Sequence, residues 1–504
     1  MPAFCNTAQF VVPNFKIMSK HLCTMTKRTK NAAAFALAKI LLKFWFAFCC
    51  DTKAFVILFN LNANSKKKRG FLMTFEQTLD YIYSRKKFAK SNSLERINAT
   101  LSALSNEHKK LKFVHVLGTN GKGSVSAMIS SCLSAAGYKT GLFTSPFVVD
   151  FRERIQIDGK YIEKQDFCRI AQTVKEKSET LPETLRPTFF EFVLACALVY
   201  FYESDCDIVV LEAGIGGKND STNIIPPPLV TVFTSISFDH TDVLGRTIEE
   251  IAKSKAGAIK KGSVVVSFPF ENGGFDFVPQ STEAKAVLEK AAKENDCKIV
   301  FPDMKGLKLT KESIFETGFS FGGLDFSTKL PGEHQLGNAV CALTALNELK
   351  SLGFSLSGES LQKGIKAAFL PARAEIVRKE PLTIIDGGHN EGAARTLQRL
   401  INRHLKGKKI TLLAAYMKDK DYKTALSILA PECENIVFTL ADKKRGEEPE
   451  RLKKSSEKSC KNITCESDEK KAFEKAESLV QKDGVLIIAG SFYLAGEERK
   501  NFSV

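Results

Sequence analysis

The sequence predicts two α/β units, each a parallel sheet with helices on both faces. Three observations predict it. Short apolar runs alternate with stretches of helical periodicity along most of the chain. A glycine-rich turn joins the first of those runs to a helix. The length of 504 residues exceeds what one hydrophobic core holds, so two or three domains are expected. A composition of 44% hydrophobic and 26% charged residues is globular, and excludes a collagenous, disordered or disulfide-stapled chain.

Residues 1–72 stand apart from the rest. Twelve Lys and Arg against one acid, Asp51, account for +11 of the net charge of +16. The remainder is only mildly basic, so the charge does not point to nucleic acid. Ala32–Cys50 is apolar, but Lys39 and Lys43 interrupt it. Each lysine near a bilayer centre costs about 2.5–3.5 kcal/mol, which argues against a spanning helix. A targeting segment, a surface anchor and translation upstream of the true start compete. The last is favoured, because Met73-Thr74-Phe75 opens an amphipathic helix (Phe75, Leu79, Ile82) where the composition of the body begins. Residues 1–72 are therefore expected outside the fold.

Phe113–Leu117 is the first strand of the body. Val125, Met128, Ile129, Cys132, Leu133 and Ala136 mark its helix, which stops at Gly137. Asp207–Leu211, Val230–Ile236 and Val264–Ser267 continue the first unit. Leu382–Ile385, Ile410–Ala414, Ile436–Thr439 and Val485–Ala489 build the second. The break falls near Leu370-Pro371, giving domains 73–370 and 371–504. Lys443–Asp468, charged and serine-rich, reads as a solvated face or loop. Thirteen cysteines with no Cys-x-x-Cys pair read as free thiols in a reducing compartment.

Several turns carry candidate chemistry. In Gly118-Thr119-Asn120-Gly121-Lys122-Gly123-Ser124, backbone N–H groups and the helix N-terminus cradle phosphate, and Lys122 reaches the terminal phosphates. Ser124 opens the helix as a phosphate or Mg²⁺ ligand, although Gly123 breaks the strict P-loop pattern. Glu191 is a lone carboxylate in an apolar run that continues to Tyr202. It reads either as a boundary residue or, with His240 of Asp239-His240-Thr241, as a metal ligand beyond the carboxyl ends of the strands. Carboxylate, hydroxyl and phosphate oxygens suit Mg²⁺, and one imidazole is tolerable. Leu211–Gly217 brings three glycines to the same edge without the dinucleotide spacing, which argues against a nicotinamide site. Lys255, by itself, reads as a solvated lysine. Asp386-Gly387-Gly388-His389-Asn390 reads as a ligand-facing turn. Arg373, in Pro371-Ala372-Arg373, either closes on phosphate or forms a surface ion pair.

These residues, in this order, resemble the folylpolyglutamate synthase/dihydrofolate synthase family of the Mur-ligase superfamily. The resemblance runs from Met73 to the C-terminus through Gly118–Ser124, Thr144-Ser145-Pro146, Phe190-Glu191, Asp239-His240, Lys255-Ala256-Gly257, Pro371–Arg373, Asp386–Asn390 and Gly490–Leu494. It implies a P-loop ATPase domain, then a smaller Rossmann-like domain, with the active site in the cleft between them. ATP would phosphorylate a folate carboxylate, and the amino group of L-glutamate would attack the acyl phosphate. By the resemblance, Gly118, Thr119, Asn120, Gly121, Lys122, Gly123 and Ser124 bind the ATP phosphates, and Ser145, Glu191 and His240 hold Mg²⁺. Lys255 matches a lysine that is carbamylated. Asn338, Arg373 and Asp386 match nucleotide-binding positions, and His389 lies beside them as a catalytic candidate with Lys122 and Lys255.

The implied substrates are reduced folate, L-glutamate and ATP, in a cytoplasmic monomer with no nucleic-acid partner and no membrane contact for the body of the chain. The sequence departs from the family at Phe147 (often His), Lys218 (often Arg), Ala372 (often Gly) and Gly388 (usually Ala). Phe147 lies on the loop that faces the pterin side in the family, which bears on dihydropteroate as a further substrate. A cell-wall Mur ligase would carry an added N-terminal uridine-binding domain, whereas the P-loop comes only 46 residues after Met73. A P-loop kinase would leave the second unit unexplained, and a scaffold protein would make the whole motif set incidental.

Overall fold

The computed structural model of the chain describes residues 72–86 and 94–502. The reading of residues 1–72 thus falls, but for Leu72, outside the described residues. Eight strands form the first sheet: β1 (Phe113–Leu117), β2 (Thr140–Phe143), β3 (Ile155–Ile157), β4 (Lys160–Tyr161), β5 (Ile208–Glu212), β6 (Val230–Phe233), β7 (Val264–Ser267) and β8 (Ile299–Val300). Their order across the sheet is β4-β3-β2-β5-β1-β6-β7-β8. The strands from β2 to β8 in that order are parallel, and the β3–β4 hairpin adds an antiparallel edge that the sequence did not announce. Every residue of β1 and β5 is buried, as a parallel sheet covered on both faces requires.

One core lies between the sheet and the helices Lys122–Ala135 and His334–Ser351. Another lies under Lys164–Glu179 and Phe189–Glu203. The strand expected over Val230–Ile236 stops at Phe233. Beyond it the Ile236 N–H donates to Gln280 Oε1 at 3.0 Å rather than to a neighbouring strand.

A three-stranded antiparallel sheet, β9 (Lys308–Glu312), β10 (Thr317–Phe321) and β11 (Leu324–Thr328), follows. Its strands are short and the edge strands β9 and β11 are partly exposed, so they left little apolar signal, while β10 between them buries Thr317, Gly318 and Phe319. The second large sheet has β12 (Glu375–Lys379), β13 (Leu382–Asp386), β14 (Ile410–Ala414), β15 (Asn435–Phe438), β16 (Asn462–Cys465) and β17 (Val485–Ala489), in the order β12-β13-β17-β14-β15-β16. All pairs are parallel except β12–β13. Lys443–Asp468 is not a plain loop. It holds the helix Pro449–Ser456, which buries Leu452, and the edge strand β16, whose polar residues suit an exposed edge. The nine described cysteines are free thiols. Among the described residues no helix is long and apolar enough to cross a membrane.

Candidate active site

Strands β2, β5, β1 and β6 are neighbours, so the segments leaving their carboxyl ends meet at one edge. Gly118–Ser124 leaves β1 there. At Gly118 (φ 144°) an added Cβ would lie 1.8 Å from Thr234 Oγ1, and at Gly121 (φ 85°) 2.4 Å from Asn338 Oδ1. Only glycine fits either position. The helix Lys122–Ala135 starts without a side-chain cap, which leaves its first N–H groups open to an anion. Lys122 Nζ donates to the Thr119 carbonyl at 3.0 Å. Burial lowers its pKa, and Glu212 and Asp239 oppose that shift. Ser124 Oγ accepts from Gln335 Nε2 at 3.4 Å, and Asn338 Nδ2 donates to Gln335 Oε1 at 2.9 Å. Asn120 Oδ1 accepts from Asn390 Nδ2 at 3.3 Å, a direct link from P-loop to the second unit.

Two carboxylates compete for the metal role, and the structure separates them. Glu191 is consumed by its own helix: Oε2 accepts from the Thr188 N–H at 2.7 Å in a capping box and pairs with Arg96 Nε at 3.1 Å. This geometry matches the boundary reading of Glu191 and leaves its carboxylate engaged. Glu212, the last residue of β5, is the carboxylate that lies at the edge of the P-loop. It is buried, and among the described residues accepts one hydrogen bond, from the Ser145 N–H at 3.0 Å. Burial raises its pKa while Lys122 lowers it. Sequence reasoning singled out this segment for its glycines and passed over its carboxylate; a charged residue closing a buried strand was the available signal. His240 stands in left-handed conformation (φ 49°), with Nε2 3.9 Å from Asp239 Oδ2. Asp239 Oδ1 also lies 3.5 Å from Lys420 Nζ of the second unit.

Lys255 is not a solvated lysine. It is 3% exposed, and Nζ donates to the Gly118 carbonyl of the P-loop at 2.7 Å. Burial, reinforced by Lys122, pulls its pKa down to about 7. Gly217 presses on it, since an added Cβ would sit 2.3 Å from the Lys255 carbonyl oxygen.

In the second unit, Asp386 accepts from the N–H groups of Gly388 (2.7 Å) and Ala374 (2.8 Å). These bonds hold the turn around Arg373, whose neighbours Ala372 and Ala374 both adopt positive φ (51° and 48°). Arg373 makes no surface ion pair among the described residues. Its guanidinium lies 4.8 Å from the Phe492 ring centroid. His389 Nδ1 lies 3.2 Å from the Gly387 carbonyl, which can only accept, so Nδ1 carries the proton and Nε2 a lone pair. Burial drives its pKa down to about 4, and the ring is neutral at pH 7.

Beside a recess of about 290 Å³ lined by Gly123, Ser145, Glu212 and Arg373, two more open from this centre. One, of about 200 Å³, is lined by Gly121, Ser124, Asn338, Arg373 and Asp386. The other, of about 340 Å³, is lined by Phe147, Arg154, His389, Lys420 and Ser491. Arg154 was not legible in the sequence. It is 7% exposed and makes no ion pair among the described residues. A P-loop facing a second α/β unit across recesses that present cations to anionic ligands defines a Mur-type ATP-dependent ligase.

Similarity to known proteins agrees. Residues 116–346 match the Mur ligase middle domain, and residues 372–492 the Mur ligase glutamate ligase domain. The chain is 33% identical over 430 residues to the dihydrofolate synthase/folylpolyglutamate synthase of Bacillus subtilis, covering 84% of this chain and 98% of the relative. Among solved structures it resembles Mycobacterium tuberculosis folylpolyglutamate synthase complexed with ADP (TM-score 0.77, 27% identity, 85% of this chain and 98% of that one). It also resembles E. coli FolC in complex with DHPP and ADP (TM-score 0.73, 25% identity, 85% and 97%). The chain belongs to the folylpolyglutamate synthase/dihydrofolate synthase family of the Mur ligases.

Proposed function

We propose that the chain joins L-glutamate to the carboxylate of a reduced folate, using ATP and passing through an acyl phosphate. The observation that carries this reading is the juxtaposition of an open P-loop, with Lys122 and Glu212 buried beside it, and a second recess presenting Arg154 and Lys420. The domains divide at 370/371, and the chain acts as a monomer in the cytoplasm, where free thiols such as the nine among the described residues persist.

Gly118, Thr119, Asn120, Gly121, Lys122, Gly123 and Ser124 bind the phosphates, while Asn338, Arg373 and Asp386 border the nucleotide recess. The donor set for Mg²⁺ is Ser124, Ser145, Glu212 and His240. Its oxygen-rich chemistry and the open lone pairs of Glu212 fit that ion, which would offset phosphate charge. Lys122 and Arg373 offset the repulsion between ATP and the folate carboxylate as the γ-phosphoryl group moves to it. The glutamate amine then attacks the acyl carbon, the C–O bond to phosphate breaks, and phosphate leaves with the bonding electrons. His389 Nε2, unprotonated, faces this recess and accepts a hydrogen bond from the incoming ammonium or amine. Lys255, half-neutral near pH 7, is set to react with CO₂, and its carbamate would add a carboxylate beside the P-loop.

Phosphate release tests the reading. It is expected to require ATP, Mg²⁺, glutamate and tetrahydrofolate together; release independent of glutamate would overturn it. The DHPP-bound relative motivates dihydropteroate as a further donor, and the same assay with dihydropteroate decides that.

A further inference from the structure

Arg154 is a buried cation that makes no ion pair among the described residues, the carboxylates of Glu212 and Glu153 acting on it only at longer range. Arg152, two residues earlier, shows the ordinary arrangement: its guanidinium grips Asp150 through contacts of 2.7 and 3.1 Å. Arg154 has no such partner among the described residues, and its Nε makes no hydrogen bond. Its guanidinium instead lies 5.2 Å from the ring centroid of Phe147 and 5.6 Å from those of Phe151 and Phe189. The rings brace one another, Phe147 on Phe151 at 5.6 Å and Phe151 on Phe189 at 6.3 Å. Burial lowers the Arg154 pKa to about 10, so it stays charged at neutral pH.

Ring faces attract a cation without consuming its N–H donors. A carboxylate neighbour would offset the same desolvation but fill the guanidinium fork. Three rings therefore keep the charge in place and leave the fork free.

We propose that Phe147, Phe151 and Phe189 form a cage that holds Arg154 charged with its guanidinium unpaired for a carboxylate of the incoming amino acid, with Phe147 the specificity-determining positioning residue. This rests on the reading that the 340 Å³ recess takes L-glutamate. Phe147 lines that recess, whereas Phe151 is 4% exposed and belongs to the core, so Phe147 is the place to test.

The test separates acceptor binding from acyl-phosphate formation. With hydroxylamine in place of glutamate, its nitrogen forms the new bond to the acyl carbon, phosphate leaves with the C–O electron pair and takes up the proton the nitrogen loses, and a hydroxamate results without use of the carboxylate fork. Phe147→Leu keeps much of the volume but removes the ring face. It is expected to raise the KM for glutamate about 10-fold, and to lower the ratio of ligation to hydroxamate formation by a similar factor. Phe147→Tyr, which keeps the face, should stay within about twofold of the wild-type KM. Phe147→Met gives the same reading if the leucine variant is unstable. A folded leucine or methionine variant with the wild-type KM for glutamate overturns the cage. So does a fall in hydroxamate equal to the fall in ligation, which would move Phe147 to the donor side. Wild-type protein that forms neither hydroxamate nor phosphate with tetrahydrofolate overturns the functional reading itself.

Discussion

The carboxyl edge of the first large sheet and the Asp386–Asn390 turn of the second face the same cleft, but their charges are handled in opposite ways. At the first, Lys122, Lys255 and Glu212 are buried with shifted pKa values and few partners. At the second, Asp386, whose pKa burial also raises, has each carboxylate oxygen engaged by a backbone N–H, and His389 is held neutral. Burying incompletely paired charge is costly and persists where chemistry uses it. On the proposed reading phosphoryl transfer centres on the first edge, while the second contributes Arg373 and His389 to it and holds the nucleotide. Lys122→Ala is the strongest way to break that contrast. Turnover should fall by about a thousandfold while thermal stability holds, because a buried ammonium is removed along with its desolvation cost. Wild-type-like phosphate release would end the assignment.

The two glutamates sharpen it. Glu212→Gln should cost about a hundredfold in kcat with little loss of stability. Glu191→Gln should do the reverse. It removes the Arg96–Glu191 ion pair and weakens the cap, costing about 1–2 kcal/mol in denaturant unfolding, with kcat of the folded protein within a few-fold of wild type. Equal kcat losses in the two variants would return Glu191 to the metal. Lys255 supplies the pH arm of the same contrast. With a pKa of about 7, its neutral, CO₂-reactive fraction rises from about one-tenth at pH 6 to about nine-tenths at pH 8. Activity at limiting bicarbonate should climb over that window, and Lys255→Ala should recover about tenfold with added formate. No response to bicarbonate or formate would refute carbamylation.

The second-unit turn should answer more mildly. Asp386→Asn replaces one acceptor oxygen by a donor facing the N–H of Ala374 or Gly388. The KM for ATP is expected to rise about tenfold, with kcat changed less. A loss of kcat as large as that of Glu212→Gln would erase the distinction between the two regions.

Which parts were legible in the sequence follows from how local their causes are. The P-loop was readable because a buried strand, a glycine turn and a helix are all written within Phe113–Ala136. Lys255 was readable only by resemblance, since its burial comes from Gly118 and Gly217, distant in the chain. Glu191 misled because a carboxylate in an apolar run stands out, whereas the carboxylate that reaches the site does so through the β2-β5-β1 order, which no local pattern states. Arg154 needs Phe189, contributed by a different helix, to become an open cation. Strands β9, β11 and β16 escaped because exposed edges need no apolar alternation.

The smallest expected effect lies at the far rim of the nucleotide recess. There the helix Glu391–His404 meets the first unit through Arg399–Asp276 (3.0 Å), Arg403–Glu333 (2.7 Å) and Arg403–Glu312 (2.5 Å), with His404 Nε2 3.4 Å from Glu312. Parting the units must break these pairs. Arg403 is 42% exposed, however, and half-exposed pairs contribute only about 0.2–1 kcal/mol each. Glu312→Gln should therefore raise the KM for ATP by less than about threefold at low salt. The difference should vanish near 1 M salt, where screening acts within about 3 Å. His404 adds no charge at pH 7, because burial lowers its pKa. A salt-independent effect of the size seen at Asp386 would mean that this rim shapes the nucleotide recess itself rather than holding the two units together.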